Sequence, residues 1–271
     1  MSNKDVITSL RYLVPGEERP VYFASRGGAD AALKIGARFE DREVLVRDAR
    51  QLHPPATLDR QGFTLLPQAS SVNDFYALEP VRANYDAQIV ALVLSATGAA
   101  DARVFDHTLR SDSRDIRGHR STREPATVIH NDYTHASARR RLYEVLAPKA
   151  AEQRLQRRFA IINVWRSIDR PVIASPLACC DAATLAAADL VASERRARER
   201  IGELELVTWN PAHQWYYYPE MTRDEVLLIK TFDSDAGQGA NRSIHTAFSN
   251  PLAPPDAPAR ESIESRMFVF Y

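Results

Sequence analysis

A histidine and an aspartate stand two residues apart where an apolar run ends and a polar turn begins. The run Ala126-Thr-Val-Ile leads directly into His130 and Asp132. Residues i and i+2 of a strand point to the same side, so this imidazole and this carboxylate can reach a single metal ion. The alternative is a hydrogen-bonded polar pair at the end of a strand, and the motif alone does not decide between them.

A second histidine, His245, lies far along the chain in the segment Ser243-Ile-His-Thr-Ala-Phe248, whose composition is typical of a strand. As a third ligand it would complete a set of two histidines and one carboxylate and leave three coordination positions open. That arrangement is diagnostic of non-haem Fe(II) oxygenases. The alternative for His245 is a histidine whose ring is hydrogen-bonded in or near the core.

Arg260 and Ser262 form an R-x-S motif on the last predicted strand, 15 residues after His245. The two side chains share one face of that strand, where a guanidinium fork and a hydroxyl can hold the far carboxylate of a dicarboxylic co-substrate. The order H-x-D, distal histidine, R-x-S on a β-barrel is the one expected of an iron and 2-oxoglutarate dioxygenase.

Five further residues are candidates for contacts in such a site. Tyr133 follows the ligand motif and can donate a hydrogen bond in the pocket or begin the next helix. Arg166 ends an apolar run and can pair with a carboxylate or hold a loop. Lys230 lies in an apolar strand and is a third possible anion anchor, although most such lysines extend to solvent. His107 and Arg110 precede the iron motif, and each is either a pocket residue or a structural one.

The elements that must position these residues are mostly strands. From residue 99 onward, eight or nine short segments rich in β-branched and aromatic residues predict a sandwich or barrel. Helices are predicted at 78–97, where the pattern stops at Gly98, and at 136–146 and 182–199. With no repeats and no linker, the chain is expected to form one domain, in which an N-terminal α/β elaboration and supporting helix (1–98) precede a β core (99–271).

Composition narrows the classes of partner. The chain has 271 residues, with 35 basic and 35 acidic side chains, so no global field recruits nucleic acid. The longest apolar stretch, Ile89–Leu94, is far shorter than the roughly 20 residues that cross a bilayer. No leader is recognised, and the adjacent Cys179 and Cys180 are expected to be buried thiols. We therefore expect a cytoplasmic protein, monomeric or homodimeric, with a small-molecule substrate and neither nucleic acid nor membrane as partner.

Over nearly its whole length the sequence resembles the hydroxylase/desaturase family that includes the cephamycin 7α-hydroxylase component and gibberellin desaturase relatives. The motifs that carry the resemblance are Asp59-Arg-Gln-Gly-Phe63, Val104-Phe-Asp-His-Thr-Leu-Arg110, His130-Asn-Asp-Tyr-Thr134, Asn163-Val-Trp-Arg166, Pro176-Leu-Ala-Cys-Cys-Asp181, Trp215-Tyr-Tyr-Tyr-Pro-Glu-Met-Thr222, Leu228-Ile-Lys-Thr-Phe-Asp-Ser234, His245-Thr-Ala-Phe248 and Arg260-Glu-Ser-Ile-Glu264. The chain departs from the family pattern at Ser167, Ile244 and Ala259, where the family tends to have proline. None of these departures removes a predicted ligand.

The resemblance implies a double-stranded β-helix, a jelly-roll and cupin-like fold, with Fe(II) at His130, Asp132 and His245 and 2-oxoglutarate held by Arg260 and Ser262. The expected enzyme uses O2 to hydroxylate or desaturate an unactivated C–H position and decarboxylates 2-oxoglutarate to succinate. Its substrate would be a small metabolite, such as an amino-acid- or peptide-derived secondary metabolite or another organic acid. Two alternatives are a non-oxidative metalloenzyme on the same barrel and a metal-free binding module.

Overall fold

Strands make up most of the regular structure. The computed structural model describes residues 4–197, 200–235, 237 and 239–271. The strands of the described chain are β1 Val6–Leu13, β2 Val21–Phe23, β3 Lys34–Gly36, β4 Phe39–Asp48, β5 Phe63–Pro67, β6 Asp101–Ser111, β7 His130–Asn131, β8 Phe159–Ser167, β9 Leu177–Cys180, β10 Leu190–Arg196, β11 Ile201–Val207, β12 Trp215–Tyr217, β13 Glu225–Asp233, β14 His245–Ala247 and β15 Glu261–Phe270. The α-helices are α1 Arg82–Thr97, α2 Arg114–Arg120, α3 His135–Val145 and α4 Pro148–Leu155.

The strands form two sheets, ordered β1-β4-β12-β9-β14-β7-β11-β10-β2-β3 and β5-β13-β8-β15-β6. Eight of them make the core. The antiparallel set β7-β14-β9-β12 lies in the larger sheet, and the antiparallel set β6-β15-β8-β13 lies in the smaller one. Along the chain, strands of these two sets alternate except at β9 and β12, which is the topology of a double-stranded β-helix or jelly roll. The predicted fold class is confirmed.

Strands β1, β4 and β5, which precede the core, extend both sheets. β4 pairs with β12 and carries β1, whereas β5 pairs with β13 at the edge of the smaller sheet. The segment 4–98 is therefore hydrogen-bonded into the same two sheets as the residues that follow it.

The central strand β8 is buried along its whole length because both of its faces are covered. Ala160, Ile162 and Val164 pack against the buried face of α1, and α1 ends where expected, at Gly98 in the left-handed region with φ 65°. Trp165 points the other way, into the apolar cluster between the sheets. The alternation of β8 therefore decides which side chains face the interior of the barrel.

One predicted element is wrong. Residues 182–197 do not form a helix: two short 3-10 turns, Ala182–Thr184 and Ala187–Asp189, lead into β10. Residues 198–199 of the predicted helix lie outside the described part of the chain. β10 pairs with β11 in register from Leu190 opposite Val207 to Arg196 opposite Ile201. This pairing with a neighbouring strand overrides the helix propensity of an alanine-rich segment.

The two cysteines are free and buried, as expected, on β9. Burial raises the pKa of the Cys179 thiol well above its ordinary value, so it remains protonated. In the part of the chain described here, no helix combines the length and the apolar character needed to cross a bilayer.

Candidate active site

The structure brings together the three side chains that the sequence predicts as metal ligands. β7 and β14 are neighbouring strands, and His130 is paired directly with His245, with 4.6 Å between the ring centroids. Asp132 follows the end of β7, and its Oδ1 lies 3.7 Å from His130 Nε2. One donor atom from each residue lies within 4.8 Å of the others. Among the described residues, this trio is the cluster of histidine, cysteine and acidic side chains whose spacing suits a metal ion.

Both imidazoles are oriented by backbone carbonyls two residues earlier in the chain. His130 Nδ1 lies 2.8 Å from the Val128 carbonyl oxygen, and His245 Nδ1 lies 3.4 Å from that of Ser243. A carbonyl oxygen only accepts, so each Nδ1 is the protonated nitrogen and each Nε2 keeps a lone pair for a metal. Burial, and next the neighbouring His245, lower the pKa of His130 to about 3, which keeps this ring neutral as a ligand must be.

Asp132 is held through the oxygen that does not face the histidines. Its Oδ2 accepts hydrogen bonds from Asn163 Nδ2 at 2.7 Å and from Arg266 Nε at 3.1 Å. Burial by itself would raise the pKa of Asp132, but the Arg266 guanidinium and the histidines hold it well below its usual range. The donor set is thus the neutral imidazole of His130, the imidazole of His245 and one charged carboxylate, which fits Fe(II).

Arg266, on β15, is the main residue of the site that sequence reasoning missed. Besides Asp132 it donates from Nη1 to Asp106 Oδ2 at 2.9 Å and to Thr108 Oγ1 at 3.2 Å, and from Nη2 to Glu264. Burial would lower its pKa, but these carboxylates raise it well above the ordinary value. The available signal was its place on the same strand face as Arg260 and Ser262, at even spacing.

Arg260 is a buried cation whose guanidinium has no acidic partner among the described residues. Its Nε donates to Ser262 Oγ at 3.1 Å and its Nη1 to the Ser175 carbonyl at 3.0 Å, while the guanidinium lies 5.2 Å over the ring of Trp165. No carboxylate of the described residues lies within 4.0 Å of its guanidinium nitrogens, although its backbone amide donates to Asp112 Oδ1 at 2.8 Å. Burial, followed by Arg110, lowers the pKa of Arg260 to about 10, so it stays charged at neutral pH. A buried charge without a counterion suits an anionic ligand.

The remaining sequence candidates divide into those near the ligands and those elsewhere. Tyr133 is buried beside the site, in a cluster with Leu142 and Phe268, and burial raises its pKa to about 12. Arg166, in contrast, lies on the opposite face of β8, where it donates to the Gln68 carbonyl. The strand alternation that directs Asn163 to Asp132 directs Arg166 away, so the structure does not bring Arg166 into the site.

Lys230 and His107 also have other partners. The Lys230 ammonium is buried and lies 3.3 Å from Asp59 Oδ1 and 3.2 Å from Asp233 Oδ2, so it is already neutralised. His107 lies 2.8 Å from Ser265 Oγ and 2.9 Å from Asp86 Oδ1 of α1, outside the ligand cluster. Neither side chain is placed to hold a co-substrate.

A narrow cavity adjoins His130 and Asp132 and is rich in arginine. Its lining comprises Tyr22, Ala24, Ser25, Arg110, Arg123, Glu124, His130, Asp132, Arg195, Leu204 and Arg266. Arg110, which the sequence singled out, lies here and donates to the Glu124 carbonyl at 2.8 Å. The cavity reaches two of the three predicted ligands, His130 and Asp132.

The chain is similar to known oxygenases over most of its length. A family model described as an oxidoreductase/YMDC permease-like domain matches residues 10–270. The Fe(II)/2-oxoglutarate-dependent dioxygenase nvfI of Aspergillus novofumigatus is 33% identical over 84% of this chain and 83% of its own length. The hydroxylase/desaturase efuI of Hormonema carpetanum is 30% identical over 86% and 85%, respectively.

A solved structure agrees with these sequence relatives. The iron and alpha-ketoglutarate-dependent endoperoxidase NvfI superposes with a TM-score of 0.84 at 29% identity, covering 100% of this chain and 99% of that one. The similarity therefore extends across both sheets and is not confined to the ligand motifs.

Proposed function

This chain belongs to the family of Fe(II)- and 2-oxoglutarate-dependent hydroxylases and desaturases, and from that premise we propose that His130, Asp132 and His245 hold its iron. The observation that carries the assignment is the convergence of these three donors, from β7, the residue that follows it and β14, to within 4.8 Å of one another. Two imidazoles and one carboxylate leave open positions for a co-substrate and O2. Bound Fe(II) supplies the activation of O2 that is coupled to decarboxylation of 2-oxoglutarate.

The protein's contribution at the metal is to hold the donors in place. The Val128 and Ser243 carbonyls fix the tautomer and the direction of the two imidazoles. Asn163 and Arg266 occupy Oδ2 of Asp132, which directs Oδ1 to the histidines and keeps the carboxylate charged. His130 and Asp132 are thereby in their metal-binding protonation states before any metal arrives.

We assign the far carboxylate of 2-oxoglutarate to Arg260 and Ser262. Arg260 is held by the Ser175 carbonyl and by the ring of Trp165, and it lacks a protein counterion among the described residues. A fixed guanidinium can bind a carboxylate with two parallel hydrogen bonds, to which the Ser262 hydroxyl adds a third. Tyr133, buried beside Asp132 and protonated, shields that side of the site from water.

The overall reaction is oxidation of a C–H position in a small molecule. In hydroxylation one atom of O2 enters the product and the other enters succinate, with release of CO2. In desaturation the substrate loses two hydrogens, one atom of O2 enters succinate, and the other leaves with these hydrogens as water; CO2 is again released. The protein's role is to hold the substrate so that one C–H position faces the metal held by His130, Asp132 and His245.

Anaerobic titration tests the proposal. Wild-type protein given Fe(II) and then 2-oxoglutarate should develop the weak visible charge-transfer band of the chelated co-substrate, and only after both additions. His245→Ala should abolish the band. His119→Ala, which removes an exposed histidine on α2, is the matched control and should leave it unchanged. Iron binding without a band would favour a metalloenzyme that does not use 2-oxoglutarate, and no iron binding would favour a metal-free binding module.

We further propose that the whole chain acts as one catalytic domain, in the cytoplasm and as a monomer or homodimer. Pairing of β4 with β12 and of β5 with β13 supports a single domain. The formal net charge of zero supports a small-molecule partner and provides no attraction to nucleic acid or to an anionic membrane surface.

A further inference from the structure

Two arginines that line the cavity beside His130 and Asp132 have no acidic partner among the described residues. Arg123 and Arg195 both line this cavity and are half-buried. Within the described residues, neither guanidinium has a carboxylate within 4.0 Å or a side-chain hydrogen bond. Arginines with only a structural role normally satisfy their guanidinium with acids or carbonyls, as Arg266 and Arg110 do in the same cavity.

Strand pairing fixes the backbone beneath both arginines. The Arg123 amide donates to the Leu109 carbonyl, and the Arg123 carbonyl accepts from the Ser111 amide, which attaches the segment to β6. Arg195 lies in β10 between Tyr22 of β2 and Gly202 of β11. The two side chains therefore extend into the cavity from rigid elements, as an organised binding site requires.

The neighbouring acids do not neutralise this pair. Three of them, Asp132, Asp106 and Glu264, form ion pairs with Arg266. The other acid that lines the cavity, Glu124, is buried, has no hydrogen bond at Oε2 and lies more than 4.0 Å from every guanidinium nitrogen. Burial lowers the pKa of Arg123, with Arg110 the next cause, and burial followed by Arg266 lowers that of Arg195. An anion bound by Arg123 and Arg195 would offset the positive charge that Arg110 and Arg266 add beside them.

We propose that Arg123 and Arg195 bind a carboxylate of the oxidised substrate, so that the substrate is an organic acid. The inference rests on the proposed function and identifies the substrate class of that same site. Arg260 and Ser262 do not line this cavity, so the site differs from the one assigned to 2-oxoglutarate.

The apolar part of this lining is small and consists of Leu204, Ala24 and the ring of Tyr22. Leu204 and Tyr22 belong to an apolar cluster with Leu13, Val128 and Leu206, which lies next to the arginines. Burial raises the pKa of Tyr22, so its hydroxyl stays protonated and can donate a hydrogen bond to the same carboxylate. The carbon skeleton would then lie against Leu204, beside His130 and Asp132.

Binding of a matched acid and amide tests this inference. Wild-type enzyme, held anaerobically with saturating Fe(II) and 2-oxoglutarate, is titrated with hexanoate or hexanamide while calorimetry and the charge-transfer band are recorded. Hexanoate should bind at least about tenfold more tightly than hexanamide, because only the acid pairs with the guanidinium groups. Arg123→Gln and Arg195→Gln should each remove most of this preference. Arg103→Gln, at the exposed far end of β6, is the matched control and should keep it.

The outcomes of these titrations separate the proposed substrate class from the proposed function. A normal band in the wild type with equal binding of the acid and the amide overturns the substrate class but leaves the proposed function standing, whereas absence of the band rejects the proposed function itself. If Arg123→Gln raises the 2-oxoglutarate requirement and Arg260→Ala does not, the pair holds the co-substrate and the assignment is wrong. The wild-type comparison remains decisive even if an arginine variant fails to fold.

Discussion

Arg266 Nε lies 3.1 Å from Asp132 Oδ2, on the side of the carboxylate opposite the histidines. The aspartate is therefore held by a guanidinium that is itself fixed by Asp106, Thr108 and Glu264. A metal ligand whose second oxygen is already bonded has its direction and its charge determined before the metal binds. Arg266 is accordingly a positioning residue for the iron site.

Replacing Arg266 with Met should weaken Fe(II) binding by roughly 10- to 100-fold, because Asp132 loses its orienting partner. It should also destabilise the fold by about 3–5 kcal/mol, since buried carboxylates are left without their cation. Iron titration and denaturant unfolding of the apo-protein measure the two effects. Arg154→Met, which breaks an ion pair with Asp101 that is exposed on both sides, should cost at most about 1 kcal/mol. Unchanged iron affinity in Arg266→Met would contradict the positioning role.

For Arg260→Ala we expect Fe(II) to bind normally while the 2-oxoglutarate concentration needed for the charge-transfer band rises roughly tenfold or more. The substitution removes the fork that pairs with the far carboxylate. Arg260→Lys should recover part of the affinity, because it restores the charge but not the fork. If the wild type, Arg260→Ala and Arg260→Lys all need the same 2-oxoglutarate concentration, the far carboxylate of 2-oxoglutarate does not bind at Arg260.

Arg166, unlike Arg260, is not expected to bind 2-oxoglutarate. Its Nε and Nη1 have no hydrogen-bond partner among the described residues, and it faces the α1 side of β8. Arg166→Met should therefore leave the 2-oxoglutarate requirement unchanged, and thermal unfolding should show equal or higher stability, since a buried charge is replaced by a side chain that packs. A rise in the 2-oxoglutarate requirement as large as that of Arg260→Ala would show that Arg166 takes part in binding the co-substrate.

His213 should make stability depend on pH. Its side chain is buried with Nε2 3.0 Å from Asp189 Oδ2 and Nδ1 3.2 Å from the Tyr12 hydroxyl, and burial lowers its pKa below the ordinary 6.5 despite Asp189. As the pH falls below 6.5, the unfolded chain takes up a proton that the folded chain resists, so stability decreases. Thermal unfolding between pH 8 and about 5 should show a smaller loss for His213→Gln than for the wild type. If the two proteins lose the same stability over this pH range, His213 does not contribute to the pH dependence.

Much of the site was accessible from the sequence because metal chemistry is carried by residue type and by strand period. His130 and Asp132 share a strand face through their spacing, and Arg260 and Ser262 do so by the same rule. The jelly-roll class followed from many short strands and from the family resemblance. The helix predicted at 182–199 failed because its local propensity was outweighed by pairing of β10 with β11.

Residue type and local spacing specify the donor types, their order along the chain and the strands that carry them, since these are local properties. Long-range packing specifies that Asn163 and Arg266 hold Asp132, that Arg166 faces away, and that Arg123 and Arg195 line one cavity beside His130 and Asp132. These relationships depend on which distant strands become neighbours and in which register. A shift of one residue would turn each of these side chains to the other face.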